Sequence, residues 1–105
     1  MKDRNYSFAG ATRRLDPETI SADAAEAARF FSAWRREWRE AYKGLTVEIR
    51  AARALSKSAP SDAERGMAQS RRHYGRIAAS NMMQLLEAAK LERKKIRPTA
   101  ETEAA

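Results

Sequence analysis

The sequence predicts an all-α protein built as a long antiparallel two-helix hairpin. Residues that favour helices are abundant, whereas Val47 is the only valine and isoleucine occurs four times in 105 residues. Four glycines and three prolines allow few turns. Hydrophobic side chains recur at helical spacing in both halves of the chain. A single all-helical domain with one main connection follows.

The first helix is expected to start at Pro17, since Asp16 suits the N-cap and proline suits the first helical position. No further proline occurs until Pro60, so an uninterrupted helix of about 40 residues is predicted. The residues before Asp16 have no helical period, and we expect them to form a flexible arm.

The second helix is expected to start after Ser61, which forms a capping-box pattern with Glu64. Pro98 is expected to end it, because a proline ring clashes with the preceding helical turn. The predicted boundaries are an arm at 1–15, a hairpin at 16–97 with helices at about 17–57 and 62–97 and a turn at about 58–61, and a disordered acidic tail at 98–105.

Two helices alone cannot enclose a hydrophobic core. We therefore expect the hairpin to be completed by dimerisation into a four-helix bundle, so that the protein is a homodimer.

Aromatic and basic residues alternate in the segment Phe30–Gly44, FFSAWRREWREAYKG. At about 100° per residue they separate, with the rings on one face of the helix and the basic side chains on another. The apolar stripes are typical of helix packing and are expected to form the core or an interface. Their members are Phe31, Trp34, Trp38, Tyr42, Leu45, Ile49, Met67, Tyr74, Met82 and Leu85.

The basic stripes account for most of the net charge of +7. Arginine outnumbers lysine by 15 to 6, and arginine is the residue better suited to binding phosphate and carboxylate groups. The alternative is a solvated surface of good helix formers. The candidate contacts to nucleic acid or to an acidic partner are Arg35, Arg39, Lys43, Arg50, Arg53, Arg65, Arg72, Arg76, Lys90, Lys94 and Arg97.

Four further apolar residues are candidate anchors for a partner protein. Tyr6 and Phe8 lie in the N-terminal arm, and Leu86 and Leu91 lie off the main apolar stripe of the second helix. They favour a second hypothesis, in which the protein is a small regulator, inhibitor or adaptor.

Several classes of function are disfavoured. The chain has no cysteine, and its single histidine, His73, lies among arginines, so no metal site or nucleophile is expected. No glycine-rich phosphate loop occurs. We therefore expect a protein that is not an enzyme and has no cofactor and no small-molecule substrate. No apolar run is long enough to span a membrane, and a soluble cytoplasmic protein is expected.

The primary hypothesis is a basic helical protein that contacts the backbone of a nucleic acid, without base specificity and with strong salt dependence. The alternative is a protein-interaction module that binds an acidic or apolar surface. Binding to a membrane surface is the weakest of the three hypotheses, because the Trp-containing stripe is better used as core.

Overall fold

The computed structural model describes residues 13–104, with side chains through residue 96. These residues form three helices: α1 (Pro17–Arg29), α2 (Phe31–Ser58) and α3 (Asp62–Ala104). No strand occurs among them, which confirms the all-α prediction. The molecule measures 64 × 23 × 21 Å, and its long axis matches the length of the 43-residue α3.

Helices α2 and α3 form an antiparallel hairpin. The indole Nε1 of Trp38 donates a hydrogen bond to the carbonyl oxygen of Met82 at 2.9 Å, inside the core. Nearer the connection, Gly75 lies directly beneath Ile49. The side chain of Arg65 closes the connection by donating to the carbonyl oxygen of Ala59 at 2.7 Å.

The helix starts follow local sequence signals. Asp16 accepts a hydrogen bond from the Thr19 N–H at 2.7 Å, and this bond holds the pKa of the Asp16 carboxyl below its ordinary value. The capping box predicted at the second helix is confirmed, because the Ser61 hydroxyl oxygen accepts from the Glu64 N–H at 3.1 Å. Each cap satisfies an N–H group that the first helical turn leaves unpaired.

The predicted uninterrupted first helix is divided in the structure. Phe30 adopts φ −129° and ψ 42°, which ends α1, and α2 begins at the next residue. No glycine or proline marks this break. Tertiary packing accounts for it, because the break allows Ala24 and Ala27 of α1 to be buried in the core.

Contacts at both ends of α1 define its direction. Arg13 and Leu15, just before α1, bond to Asn81 of α3, while Phe31, just after it, lies under the guanidinium of Arg93. Asn81 and Arg93 are about 18 Å apart along α3, which matches the length of the 13-residue α1. Helix α1 therefore runs parallel to this part of α3 and makes one half of the hairpin a three-helix bundle.

The core is concentrated in the three-helix half. Trp34 and Trp38 are buried, and Trp38 stacks on Tyr42 with ring centroids 4.8 Å apart. Small residues allow close approach of α1 to α3, and the tryptophans fill the larger space beside them. The cluster consists of Ala24, Ala27, Trp34, Trp38, Met82, Leu85, Leu86 and Ala89, with Ile20, Phe31, Ala41, Tyr42, Leu45 and Ala88 packed against it.

In the other half, α2 and α3 pack against each other, and no third helix joins them within residues 13–104. Met67 and Tyr74, predicted to be in the core, are 63% and 50% exposed. The reason is geometric: here α3 buries a narrow seam that includes Ala68, and no helix of the described residues covers the flank bearing Met67 and Tyr74. Ile49 is only partly buried in the same half.

The end of the second helix also differs from the prediction. Helix α3 continues through Pro98 to Ala104, where a disordered tail was expected at residues 98–105. A proline removes one backbone hydrogen bond and crowds one carbonyl, whereas the alanine and glutamate residues after it favour helix. Residues 1–12, most of the predicted arm, lie outside the described part of the chain, but Arg13 to Leu15 are anchored to α3.

Candidate anion-binding face

Around its circumference, helix α3 has three flanks with different neighbours. Gly75 and Met82 contact α2, whereas Asn81 contacts the chain entering α1. Arg72, Arg76, Lys90 and Lys94 fall within about 40° of one another, roughly 165° from the flank that α1 covers. The basic residues of α3 therefore share a side of the molecule that lies away from α1.

The basic stripe of α2 meets that of α3 on this side. Arg35 of α2 lines a cleft of about 350 Å³ together with Lys90 and Lys94 of α3. The remaining basic residues of the α2 stripe are exposed and lie within about 50° of the mean direction of the stripe. We call the combined surface the basic face; it comprises Arg35, Arg39, Lys43, Arg50, Arg53, Arg72, Arg76, Lys90 and Lys94.

Packing against aromatic rings holds two arginines of the cleft in place. The guanidinium of Arg35 lies 4.8 Å from the centroid of Trp38, and that of Arg93 lies 4.8 Å from the centroid of Phe31. Such cation–π contacts orient a charge without neutralising it. At this end of the molecule the rings and the arginines therefore act together, although the sequence pattern predicted two separate surfaces.

A second cleft, of about 450 Å³, lies beside the middle of α3. Arg72, His73 and Arg76 of α3 line it, together with Arg14 from the chain before α1. The other lining residues are Gln69, Ile77 and Ser80, so no carboxylate borders this cleft among the described residues. Three arginine side chains that line one cleft, with no described carboxylate beside them, form a favourable environment for an anion.

Asn81 holds Arg14 in position. Its side-chain amide donates to the Arg13 carbonyl oxygen at 2.8 Å and accepts from the Leu15 N–H at 3.1 Å. The backbone on either side of Arg14 is thus fixed to α3. The side chain of Arg14 therefore lines the second cleft from a backbone whose position is fixed.

Acidic residues are scarce on the basic face. Of the side chains that the structure describes, Glu87 is the only carboxylate lining either cleft, and it pairs with Lys90 at 3.5 Å. At helical spacing, Glu37 and Glu48 point about 90° from Trp38, on the side opposite the basic stripe of α2. The acidic and basic charges are thus separated across the width of the hairpin.

Two of the candidate contacts are placed differently from the rest. Arg65 binds the Ala59 carbonyl oxygen and the Asp62 carboxylate, so it serves the connection between the helices and is not a free contact. The side chain of Arg97 lies outside the side chains that the structure describes.

Arg14, His73 and Arg93 line the clefts but were not among the candidate contacts. The position of Arg14 depends on the hydrogen bonds between Asn81 and its neighbours Arg13 and Leu15, which are more than 60 residues away in sequence, and no local pattern signals such bonds. The sequence gives no functional signal for His73, which lies among arginines. Arg93 lies in line with the α2-facing seam of α3, and this position could have been read from the repeat of Met82, Leu86 and Ala89.

The candidate partner anchors differ in their exposure to solvent. Leu86 is only 3% exposed and belongs to the core, because the wide buried face of the three-helix half extends to it. It is therefore unavailable to a partner. Leu91 is 60% exposed at the edge of the first cleft. Tyr6 and Phe8 lie outside the described residues.

The arrangement is suited to holding anions by charge and by arginine hydrogen bonds. Among the described residues, no group of histidine, aspartate or glutamate side chains is placed to hold a metal ion. None of the described helix segments is both long and apolar enough to cross a membrane.

No protein-family model, curated protein or solved structure matches the chain. Inferences about function therefore rest on the residues of the chain itself.

Proposed function

We propose that the protein is a non-catalytic nucleic-acid-binding protein that contacts the phosphate backbone through its basic face. The observation that carries this proposal is the convergence of Arg14, Arg72 and Arg76 on a cleft that no described carboxylate borders. Guanidinium groups bind phosphate oxygens in a bidentate manner. Because the contacts are to phosphates, binding is expected to be insensitive to base sequence.

The spacing of the basic residues supports an extended ligand over a single small anion. Arg72 and Lys94 are about 33 Å apart along α3, close to one turn of a DNA duplex. The two clefts lie on this line, one near each end. A phosphate backbone following the hairpin would therefore meet guanidinium and ammonium groups in both.

The proposal is tested by two matched substitutions. Arg76→Gln removes one charge from the basic face, while Arg71→Gln removes one from the side facing Leu55 and Met67. The molecule is about 21–23 Å wide, more than twice the Debye length of about 8–10 Å at physiological salt. Only Arg76 should therefore contribute directly to phosphate binding.

The measurement is the affinity for a labelled DNA duplex over a series of salt concentrations. The wild-type slope of log K against log salt should be steep, and Arg76→Gln should reduce its magnitude by about 0.9. Arg71→Gln should leave the slope nearly unchanged. Equal losses from both variants would mean that total charge alone attracts DNA, and absence of binding to DNA and RNA at low salt would eliminate the proposal.

The exposed apolar residues favour the second candidate function, a protein-interaction module. Leu91 borders the first cleft beside Lys90 and Lys94, a mixture that would suit an acidic peptide with an apolar side chain. Leu91→Ser should weaken such a complex and leave DNA binding unchanged. The homodimer expected from the sequence also remains a proposal. In the two-helix half, the exposed Met67 and Tyr74 would offer an apolar flank to a second copy.

A further inference from the structure

The second cleft lies along a stretch of α3 that has no acidic residue. None occurs between Glu64 and Glu87. Elsewhere on α3, cations pair with a carboxylate three residues away, as Arg65 does with Asp62, Lys90 with Glu87 and Lys95 with Glu92. Among the described residues, no carboxylate pairs with Arg14, Arg72 or Arg76. The positive charge of this cleft is therefore not neutralised by the part of the chain that the structure describes.

One wall of the cleft is a row of hydrogen-bond donors on α3. Its members lie on consecutive helical turns, because they follow one another at spacings of three and four residues: Gln69, Arg72, Arg76 and Ser80. Each guanidinium offers several N–H donors in a fixed plane. The Ser80 hydroxyl accepts from the Gln84 amide at 3.3 Å and keeps its own hydrogen to donate. The row is thus suited to a group that only accepts hydrogen bonds, such as a phosphate.

Arg14 adds a cation to the cleft from a second segment of the chain. Its neighbours Arg13 and Leu15 are bonded to Asn81, so its backbone is fixed beside α3. The nearest carboxylate in sequence, that of Asp16, caps α1 and does not line the cleft. Cations that reach one cleft from two segments concentrate positive charge there, whereas a stripe along a single helix spreads it. Arg14 therefore distinguishes the second cleft from the rest of the basic surface.

A phosphate at the end of a strand matches this concentration of charge better than an internal phosphate does. An internal phosphate is a diester with a single negative charge. A phosphate monoester carries a charge of about −1.5 to −2 at pH 7 and has three strong acceptor oxygens. The additional charge and the additional oxygen are what a third guanidinium can bind. The first cleft differs, because it includes Glu87, which pairs with Lys90 and lowers the net charge there.

We propose that the second cleft binds the terminal phosphate monoester of a nucleic-acid strand, held by Arg14, Arg72 and Arg76. The strand then follows the basic face toward the first cleft, where Lys90 and Lys94 meet internal phosphates. This inference rests on the proposed function and names the phosphate that the second cleft takes. A phosphorylated protein side chain carries the same chemical group. The basic residues that continue for about 33 Å along α3 favour a nucleic acid, because they would meet its further phosphates.

The test compares DNA duplexes of identical sequence and length that differ only at their ends. One duplex has hydroxyl ends, one has 5′-phosphates and one has 3′-phosphates. The affinity of the full-length protein for each is measured at the same low and moderate salt concentrations. The wild-type protein should bind at least one of the phosphorylated duplexes about tenfold more tightly than the hydroxyl duplex, the gain expected from one further hydrogen bond between charged groups.

Single substitutions assign this preference to the second cleft. Arg14→Gln should reduce it to about twofold or less, and Arg76→Gln should act in the same way as a second variant. Because Asn81 binds the backbone of Arg13 and Leu15, Arg14→Gln should leave helical circular dichroism unchanged. Lys94→Gln should weaken binding of every duplex but keep the preference. Arg71→Gln should change neither, since Arg71 lies on the side facing Leu55 and Met67.

Three results would overturn the inference. Equal wild-type affinities for all the duplexes, with binding still strongly dependent on salt, would remove it and leave the proposed function intact. A preference undiminished in both Arg14→Gln and Arg76→Gln would place the recognition of strand ends outside the second cleft. Lack of binding to any duplex at low salt would eliminate the proposed function as well. Binding of a phosphoserine peptide, but not of its unphosphorylated form, would then assign the cleft to a phosphorylated protein.

Discussion

Asn81 is the residue on which the position of α1 depends most directly. It is 2% exposed and lies beside Met82 in the core, where an unpaired amide would be costly. Both polar atoms of its side-chain amide bind the backbone before α1. The same residue therefore fixes the fold-back of α1 and the location of Arg14.

We expect Asn81→Leu to destabilise the protein by about 2 kcal/mol, although leucine is similar in size and suits the core. The substitution leaves the Arg13 carbonyl and the Leu15 N–H without their partner. The free energy of unfolding in urea measures the effect. Gln84→Ala is the control, because Gln84 is exposed and its amide donates to the Ser80 hydroxyl on the same helix. This substitution should change the free energy of unfolding by no more than about 0.5 kcal/mol. Equal effects of the two substitutions would contradict the role assigned to Asn81.

The two helices of the hairpin approach each other closely at one glycine. A Cβ atom added at Gly75 would lie 2.9 Å from Cγ1 of Ile49, whereas one added at Gly44 would meet no atom within 4 Å. Both glycines lie inside long helices, where glycine costs about 0.5–1 kcal/mol relative to alanine. Their replacement by alanine should therefore have opposite effects.

Gly44→Ala is expected to stabilise the protein by about 0.5–1 kcal/mol through the lower backbone entropy of the unfolded chain. Gly75→Ala should destabilise it by about 1–3 kcal/mol, because Ile49 or the helix backbone must shift. Urea unfolding of the two variants measures both effects. Ile49→Ala should lower the free energy of unfolding less in the Gly75→Ala variant than in the wild-type chain. Such a difference would identify the contact with Ile49 as the cause of the destabilisation. Strictly additive effects would contradict this assignment.

The elements show why the sequence predicts some features of this fold and misses others. The helix starts at Asp16 and Ser61 are set by hydrogen bonds within one turn, so local residue types suffice to locate them. The break at Phe30 has no local signal. It results from burying Ala24 and Ala27 against α3, and those contacts join residues far apart in sequence. The sequence likewise does not predict that Arg14 lines the second cleft. Its position depends on the bonds of Asn81 to Arg13 and Leu15, which are distant in sequence.

At the scale of the whole molecule, the helices separate two kinds of surface. The basic face follows the side of the hairpin away from α1, while the exposed side chains of Met67 and Tyr74 lie on the opposite side, as α1 does. The radius of gyration is 17.0 Å, compared with about 13 Å for a compact domain of this length. An elongated hairpin of this kind provides a long charged surface at the expense of core volume.

The length of the basic face leads to a prediction about the size of its binding site on DNA. Arg72 and Lys94 are about 33 Å apart along α3, which corresponds to about 10 base pairs. If both clefts contact phosphates, the salt dependence of binding should become steeper as the duplex is lengthened toward about 10–12 base pairs and then stay constant. Affinities for a series of duplexes of one repeating sequence, each measured at several salt concentrations, test this expectation.

The two clefts should also contribute separately within that series. Lys94→Gln should reduce the slope on long duplexes, because it removes a contact in the cleft near the end of the hairpin. On duplexes too short to span both clefts, its effect should be smaller than that of Arg76→Gln, since Arg76 lies in the cleft that holds three arginines. A slope already constant for duplexes of about six base pairs would mean that one cleft binds alone and that the rest of the basic face is solvated.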